Sequence, residues 1–331
     1  MRQNLALKTV DFHTHLLSSD VKFDRLYDKI AIKFFASRFG MHPKELVRNP
    51  YKAYCEALIR NVKESQFLEK IVLFGVDARV DDNGEILHSD VTVCATNEDL
   101  NTLYQQNKDC IIPFFSINPK RPDALDLIDK YVALGFKGAK FLQNYWGVDT
   151  REKRYIPYFE KLKYHNLPLI VHIGSENSVD SYEECESIEM LYNPVEIGVN
   201  TVCAHMALSY EPLKIFKALS KNPKNFNDEY FQLLEMLETH DNLYADISAL
   251  LTPVRAKVLM HLREQKDIHN KLLFGTDFPV PFTAVFNTHG LPFKKSFEIS
   301  NEKNPFDRYT RIILEFFDKE SAIFSNYKKL I

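Results

Sequence analysis

Four histidines and one aspartate give this sequence its chemical character. His13 and His15 are one residue apart at the end of the run TVDFHTH; His172 lies in LPLIVHI, His205 in VNTVCAHM, and Asp277 ends KLLFGTD. Successive side chains of a strand point to opposite faces, so His13 and His15 share one face. Imidazole and carboxylate together suit a divalent zinc, iron, nickel or manganese ion, if the fold gathers these distant runs. Such an ion lowers the pKa of bound water to ~7 and generates hydroxide without a strong base. Asp277 beside that water can accept its proton and pass it to a leaving group. His205 can hydrogen-bond an oxygen on which negative charge develops.

The gathering requires a particular architecture. Eight short apolar, β-branched runs span residues 9–15, 70–76, 110–117, 136–142, 167–173, 199–206, 242–248 and 271–277. Helical patterns lie between them. Thr96 is a helix N-cap with Glu98 and Asp99 in the first turn; the helix over 122–134 carries Leu125, Ile128 and Val132 and stops at Gly135. Another helix begins with Thr252 as cap and Pro253 at its first position. Alternating strand and helix with near-continuous apolar strands predicts a parallel sheet covered by helices, and eight units predict an α/β fold, the closed (β/α)8 TIM barrel of ~250 residues plus insertions. The five residues then fall at strand C-terminal ends, around one cavity. The surplus falls into a helical insertion after strand 1 (about 16–69, with helical patterns at 22–39 and 51–67) and shorter insertions at 221–229 and 281–305. Residues 1–331 read as one barrel domain, without repeats or linkers.

Motifs along nearly the whole chain carry a family resemblance: VDFHTH, TNEDL, PFFSINPKRPDA leading into GFKGAKF, LPLIVHIGSE, VNTVCAHM, NLYADIS and KLLFGTDFPVP. They resemble the amidohydrolase superfamily, in particular the amidohydrolase-related branch that includes aminocarboxymuconate semialdehyde decarboxylase. The resemblance implies His13, His15, His172 and Asp277 as ligands of one divalent metal ion, zinc in first place with manganese, iron or nickel as alternatives. It implies Asp277 and His205 as the catalytic pair, His205 facing substrate rather than metal. Lys140 stands where binuclear members carry a carboxylated lysine, which implies a bridge to a second metal; the alternatives are a contact to a substrate carboxylate or a charge partner inside the barrel. The departures are AHMALSYE, where many relatives have a glycine near the strand-six histidine, and AIFSNYKKLI, which loosely echoes the family's closing asparagine-containing helix.

Other residues carry weaker expectations. Glu176, in HIGSE, is a substrate contact or a support for a ligand, with a solvated loop carboxylate as the alternative. Asp246 orients a neighbour or is structural. Asn144, Tyr145 and Trp146 form a pocket wall or simply pack. Arg38, Arg48 and Arg79 are candidate carboxylate clamps, although a surface role is the default for each. His42, His88 and His289 read as surface histidines, His289 being the likeliest to approach the site because its loop follows Asp277.

Composition narrows the function. The 42 basic and 45 acidic residues leave a net charge of −3, with no basic patch for nucleic acid. No run is long enough for a membrane span, and the N-terminal residues lack the pattern of a signal peptide. Five scattered cysteines without a CxxC spacing point to reduced thiols and a cytoplasmic location. The expectation is a metal-dependent hydrolase acting on a small-molecule ester, lactone or amide. The alternative is a non-oxidative decarboxylase of a small carboxylic acid; a non-catalytic scaffold would need no polar ring at the barrel mouth. A homodimer is left open.

Overall fold

Parallel strands that are apolar on both faces need cover on both, and a closed barrel wrapped in helices supplies it. A computed structural model of the chain describes residues 7–21, 36, 40–41, 43–87, 94–175, 181–209, 226–252, 255, 257–280, 282 and 291–331. Its sheet contains β1 (Thr9–His15), β2 (Leu68–Phe74), β3 (Ile111–Phe115), β4 (Gly138–Phe141), β5 (Leu169–Val171), β6 (Thr201–Cys203), β7 (Leu243–Asp246) and β8 (Leu272–Leu273). The strands lie in chain order and every neighbouring pair is parallel. Backbone bonds from Phe12 N–H to the Phe274 carbonyl (2.9 Å) and from His15 N–H to the Phe278 carbonyl (2.8 Å), with a parallel bridge between Thr14 and Phe278, join the last strand to the first. This is the expected (β/α)8 barrel.

Between β1 and β2 lie α1 (Pro43–Arg48) and α2 (Pro50–Glu64), the helical insertion expected there. The predicted helix over 22–39 falls almost wholly outside the described residues. The other helices among the described residues are α3 (Asn97–Gln106), α4 (Ala124–Ala133), α5 (Gln143–Trp146), α6 (Ile156–Tyr164), α7 (Tyr192–Ile197), α8 (Asp228–Thr239), α9 (Val258–Leu262), α10 (Phe293–Ser300) and α11 (Pro305–Ile313). Thr96 caps α3 as expected, its hydroxyl accepting from Asp99 N–H at 3.0 Å. The Thr252 hydroxyl donates to the Ala249 carbonyl at 2.9 Å, and the helix start expected at Thr252 and Pro253 falls on residues 253, 254 and 256, outside the described residues. Among the described residues no helix is long and apolar enough to cross a membrane.

Two layers of core follow from strand alternation. Ala139, Phe141, Leu169, Val171 and Cys203 face the surrounding helices, whereas Phe12, Val72, Phe74, Phe114, Ile170, Val202 and Tyr244 pack with Leu330 inside the barrel. Lys140, His172 and Asp246 stand two residues from inward positions and so also turn inward. Gly138 leaves room for the Phe114 ring, which would lie 2.4 Å from a Cβ at that position.

The C-terminal segment closes the end of the barrel opposite the histidines. The Asn326 carboxamide, nearly fully buried, donates to the carbonyls of His269 (2.9 Å) and Leu272 (2.7 Å), and the Thr9 hydroxyl donates to Phe324 (2.7 Å). The asparagine of AIFSNYKKLI thus ties the chain end to β8. Replacing Asn326 with Ala strands both carbonyls and should cost about 1–3 kcal/mol in urea unfolding; an unchanged midpoint would show that the carbonyls find other partners.

Candidate metal centre

Strand alternation would send Phe12 and His13 to opposite faces. Both nevertheless meet Phe74: Phe12 shares its interior cluster, and the His13 ring packs edge-on against it at 4.9 Å. The β1–β2 register shifts between Asp11 and Thr14, and a bulge of this kind re-aims a side chain. His15 reaches the same phenyl ring at 4.7 Å. Gly275, just past β8, permits the close approach of the neighbouring segments on both sides, since a Cβ there would lie 3.0 Å from the Cβ of His13 and 3.1 Å from that of Ser248.

His205 and Asp277 lie beyond the ends of their strands, which are shorter than the apolar runs. His205, Met206 and Ala207 turn in the left-handed region (φ 54°, 56° and 54°), and Asp277 does so at φ 64°. Non-glycine residues there carry local strain, which the surroundings must hold. His205 N–H donates to Asp246 at 3.0 Å, Leu208 N–H returns to the His205 carbonyl at 3.1 Å, and the Asn227 amide donates to the Ala207 carbonyl at 2.8 Å. Asp277 N–H donates to the His13 carbonyl at 2.8 Å.

These turns aim the side chains at one point. His15 Nε2 lies 3.1 Å and His13 Nε2 3.4 Å from Asp277 Oδ1, while His205 Nε2 is 3.8 Å from Asp277 Oδ2. Ligand atoms of His13, His15 and Asp277 lie within 4.8 Å of one another, as do those of His13, His205 and Asp246. Neither group includes His172, whose ring stands beside His205 at 5.2 Å between centroids. Lys140 is fully buried, with Nζ 3.5 Å from His13 Nε2. Glu176 lies outside the described residues, as do Arg38, His42, His88 and His289. Arg48 is exposed at the end of α1. Arg79 bonds the Tyr145 carbonyl (2.6 Å) and stacks over the rings of Tyr145 and Tyr182. Asn144, Tyr145 and Trp146 are fully buried, and the Trp146 indole donates to the Asp77 carbonyl at 2.9 Å.

Hydrogen bonding decides the imidazole tautomers. Asp246 Oδ2 accepts from His13 Nδ1 at 2.7 Å, so that proton is placed and the His13 Nε2 lone pair faces the cluster. His205 Nδ1 faces the Ser248 carbonyl (3.2 Å) and hydroxyl (2.8 Å), while that hydroxyl itself donates to Asp246. Since a carbonyl only accepts, Nδ1 carries the proton and neutral His205 presents Nε2 as an acceptor. It can donate from Nε2, as the sequence reading supposed for either form, only after taking up a proton. Burial holds both His13 and His205 well below the ordinary imidazole range, reinforced at His13 by Lys140 and at His205 by Arg255. The donor set therefore fits a metal: neutral imidazole lone pairs and a carboxylate, with a second carboxylate fixing one ring.

Sequence reading missed three contributors. Arg255, nearly buried after β7, acts on both histidines by its charge, and nothing in its surrounding sequence signals this. Ser248 was overlooked although it shares the run YADIS with Asp246. Asp11 sits within VDFHTH and accepts from His13 N–H (3.1 Å), Thr276 N–H (2.9 Å) and the Thr276 hydroxyl (2.6 Å). Burial pushes its carboxyl up to about 7.

A family model described as Amidohydrolase (Amidohydro_2) matches residues 10–284. The chain belongs to the amidohydrolase family. A search of curated proteins finds no match. Among solved structures, an uncharacterized TIM-barrel protein from Bordetella bronchiseptica is similar at 13% identity and a TM-score of 0.60, over 98% of each chain. A 2,6-dihydroxybenzoate decarboxylase complexed with 2,6-dihydroxybenzoate is similar at 14% identity and a TM-score of 0.53, again over 98% of each. An amidohydrolase from Burkholderia multivorans with bound zinc gives 14% and 0.53, over 98% of this chain and 99% of that one. At these identities the likeness is one of fold. The buried cluster and the family together support a metal-dependent enzyme acting on small molecules.

The buried groups set a pH dependence. Below about pH 6.5 the fold holds fewer protons than the unfolded chain on His13 and His205, whose imidazoles burial depresses, and more on Asp11, whose carboxyl burial raises. Two imidazoles against one carboxyl net at most one proton taken up on unfolding, so these groups lower stability as pH falls, by at most ~1.4 kcal/mol per pH unit. Urea unfolding of the metal-free protein at pH 7 and pH 5 checks the sign; greater stability at pH 5 would contradict it.

Proposed function

We propose that the protein is a metal-dependent hydrolase that opens an ester, lactone or amide of a small molecule. Convergence of His13 Nε2, His15 Nε2 and the Asp277 carboxylate within 4.8 Å carries this reading. His13, His15, His172 and Asp277 are the ligands for one divalent ion, with zinc the first choice; a zinc-bound amidohydrolase of the same fold supports that choice. When bound, the ion supplies Lewis acidity and makes water a nucleophile near neutral pH. Asp277 accepts the proton of the attacking water and later delivers it to the leaving group. His205, kept neutral by burial with its proton on Nδ1, faces the substrate with the Nε2 lone pair and can accept a hydrogen bond or a proton from a substrate hydroxyl. Asp246 holds the His13 ring and the His205 backbone in register. Carboxylation of Lys140 would create a bridge to a second ion, which a metal count above one equivalent would reveal. The five free, buried cysteines fit a reducing cytoplasm.

Decarboxylation of a small carboxylic acid is the second reading. It is favoured by two buried cations, Lys140 beside His13 and Arg255 acting on both His13 and His205, which suit an anionic substrate. The decarboxylase of the same fold adds support. Acid release from a lactone or ester identifies the hydrolase, and CO2 release from an aromatic acid identifies the decarboxylase.

Purified protein should hold about one equivalent of metal and lose it in His13→Ala. Asp277→Asn should abolish turnover in a folded protein, whereas His205→Ala should keep its metal. Wild-type turnover in Asp277→Asn would remove the proton-transfer role, and metal loss in His205→Ala would make His205 a ligand.

A further inference from the structure

We propose that Tyr54, on α2 of the insertion after β1, is a positioning residue for the metal centre: its hydroxyl holds the backbone of His15 and its ring supports the turn that carries Asp277. The proposal rests on the metal reading above. Tyr54 is almost fully buried, and its hydroxyl donates to the His15 carbonyl across 39 residues of chain. Its ring stacks on Phe278, the residue after Asp277, at 5.8 Å and 27°. One side chain thus touches the two backbone segments that carry His15 and Asp277, whose side chains meet at 3.1 Å.

The insertion is fastened from behind. Ser65, just past α2, donates its hydroxyl to Asp307 of α11, and the Asn304 amide donates to the Asn61 carbonyl at 2.7 Å. Phe306 also packs against Phe278, at 4.9 Å. Tyr54 and Phe306 both contact Phe278, with α2 and α11 locked to each other. A ring and a hydroxyl packed only for stability would have no effect on ligand spacing; here both act on it.

Tyr54→Phe removes the hydroxyl and keeps the ring. Tyr158→Phe is the control, since that buried tyrosine donates to the Ile117 carbonyl at 3.1 Å and packs on Phe141 rather than on the backbone of His15 or the Phe278 ring. Zinc affinity of the metal-free full-length chain is measured by chelator competition, alongside the visible spectrum of the cobalt-loaded protein and the melting temperature. Tyr54→Phe should bind zinc ~10–100-fold more weakly and shift the cobalt bands. Tyr158→Phe should lower only the melting temperature. If Tyr54→Phe fails to fold, Phe278→Leu, which removes the ring support, should weaken zinc binding in the same sense. Wild-type zinc affinity and an unchanged cobalt spectrum in the folded variant would overturn the positioning role while leaving the metal reading intact. A wild-type chain that binds no zinc would overturn both.

Discussion

The seam between the first and last strands is the constraint on which the site depends. Three backbone bonds cross it, Phe12 to Phe274, Asp277 to His13 and His15 to Phe278, and the Asp11 carboxyl accepts from both sides. The same seam carries His13, His15 and Asp277. Closing the barrel and assembling the ligand cluster are therefore one event. Regular pairing would have left β8 running straight past β1. Instead, the left-handed residue at Asp277 turns its carboxylate toward the two imidazoles.

Two buried carboxylates, Asp246 and Asp11, place several of the other buried polar groups. Asp246 accepts from the His13 ring, from the backbone of His205 and Ser248, and from the Ser248 hydroxyl. Removing its charge would release the tautomer of His13 and the strained turn at His205 together. Desolvation keeps both imidazoles neutral, the form in which nitrogen offers a lone pair to a cation. A residue ring that stays neutral and correctly turned is ready to ligate without rearrangement.

Much of this was readable along the chain. Apolar runs of strand length alternating with capped helical stretches specify a parallel barrel, and the pleat puts Gly138 and Lys140 on one face. The runs overstate the strands, however. VNTVCAHM and KLLFGTD continue in composition past the points where Cys203 and Leu273 end the pairing, because apolar character reports burial and not hydrogen bonding. Left-handed turns at His205 and Asp277 are also invisible, since glycine, their usual mark, is absent from both positions.

Sequence alone determined which donor atoms exist and their order along the barrel, because these follow from residue type and the succession of strand-length runs. Tertiary structure decided which donors meet. Closure brought Asp277 to His13 and His15, the bulge in β1 turned His13 inward beside Phe12, and a carboxylate 233 positions away chose which nitrogen of His13 is bare. Distances of a few ångströms between residues hundreds of positions apart are set by packing, and no local pattern encodes them.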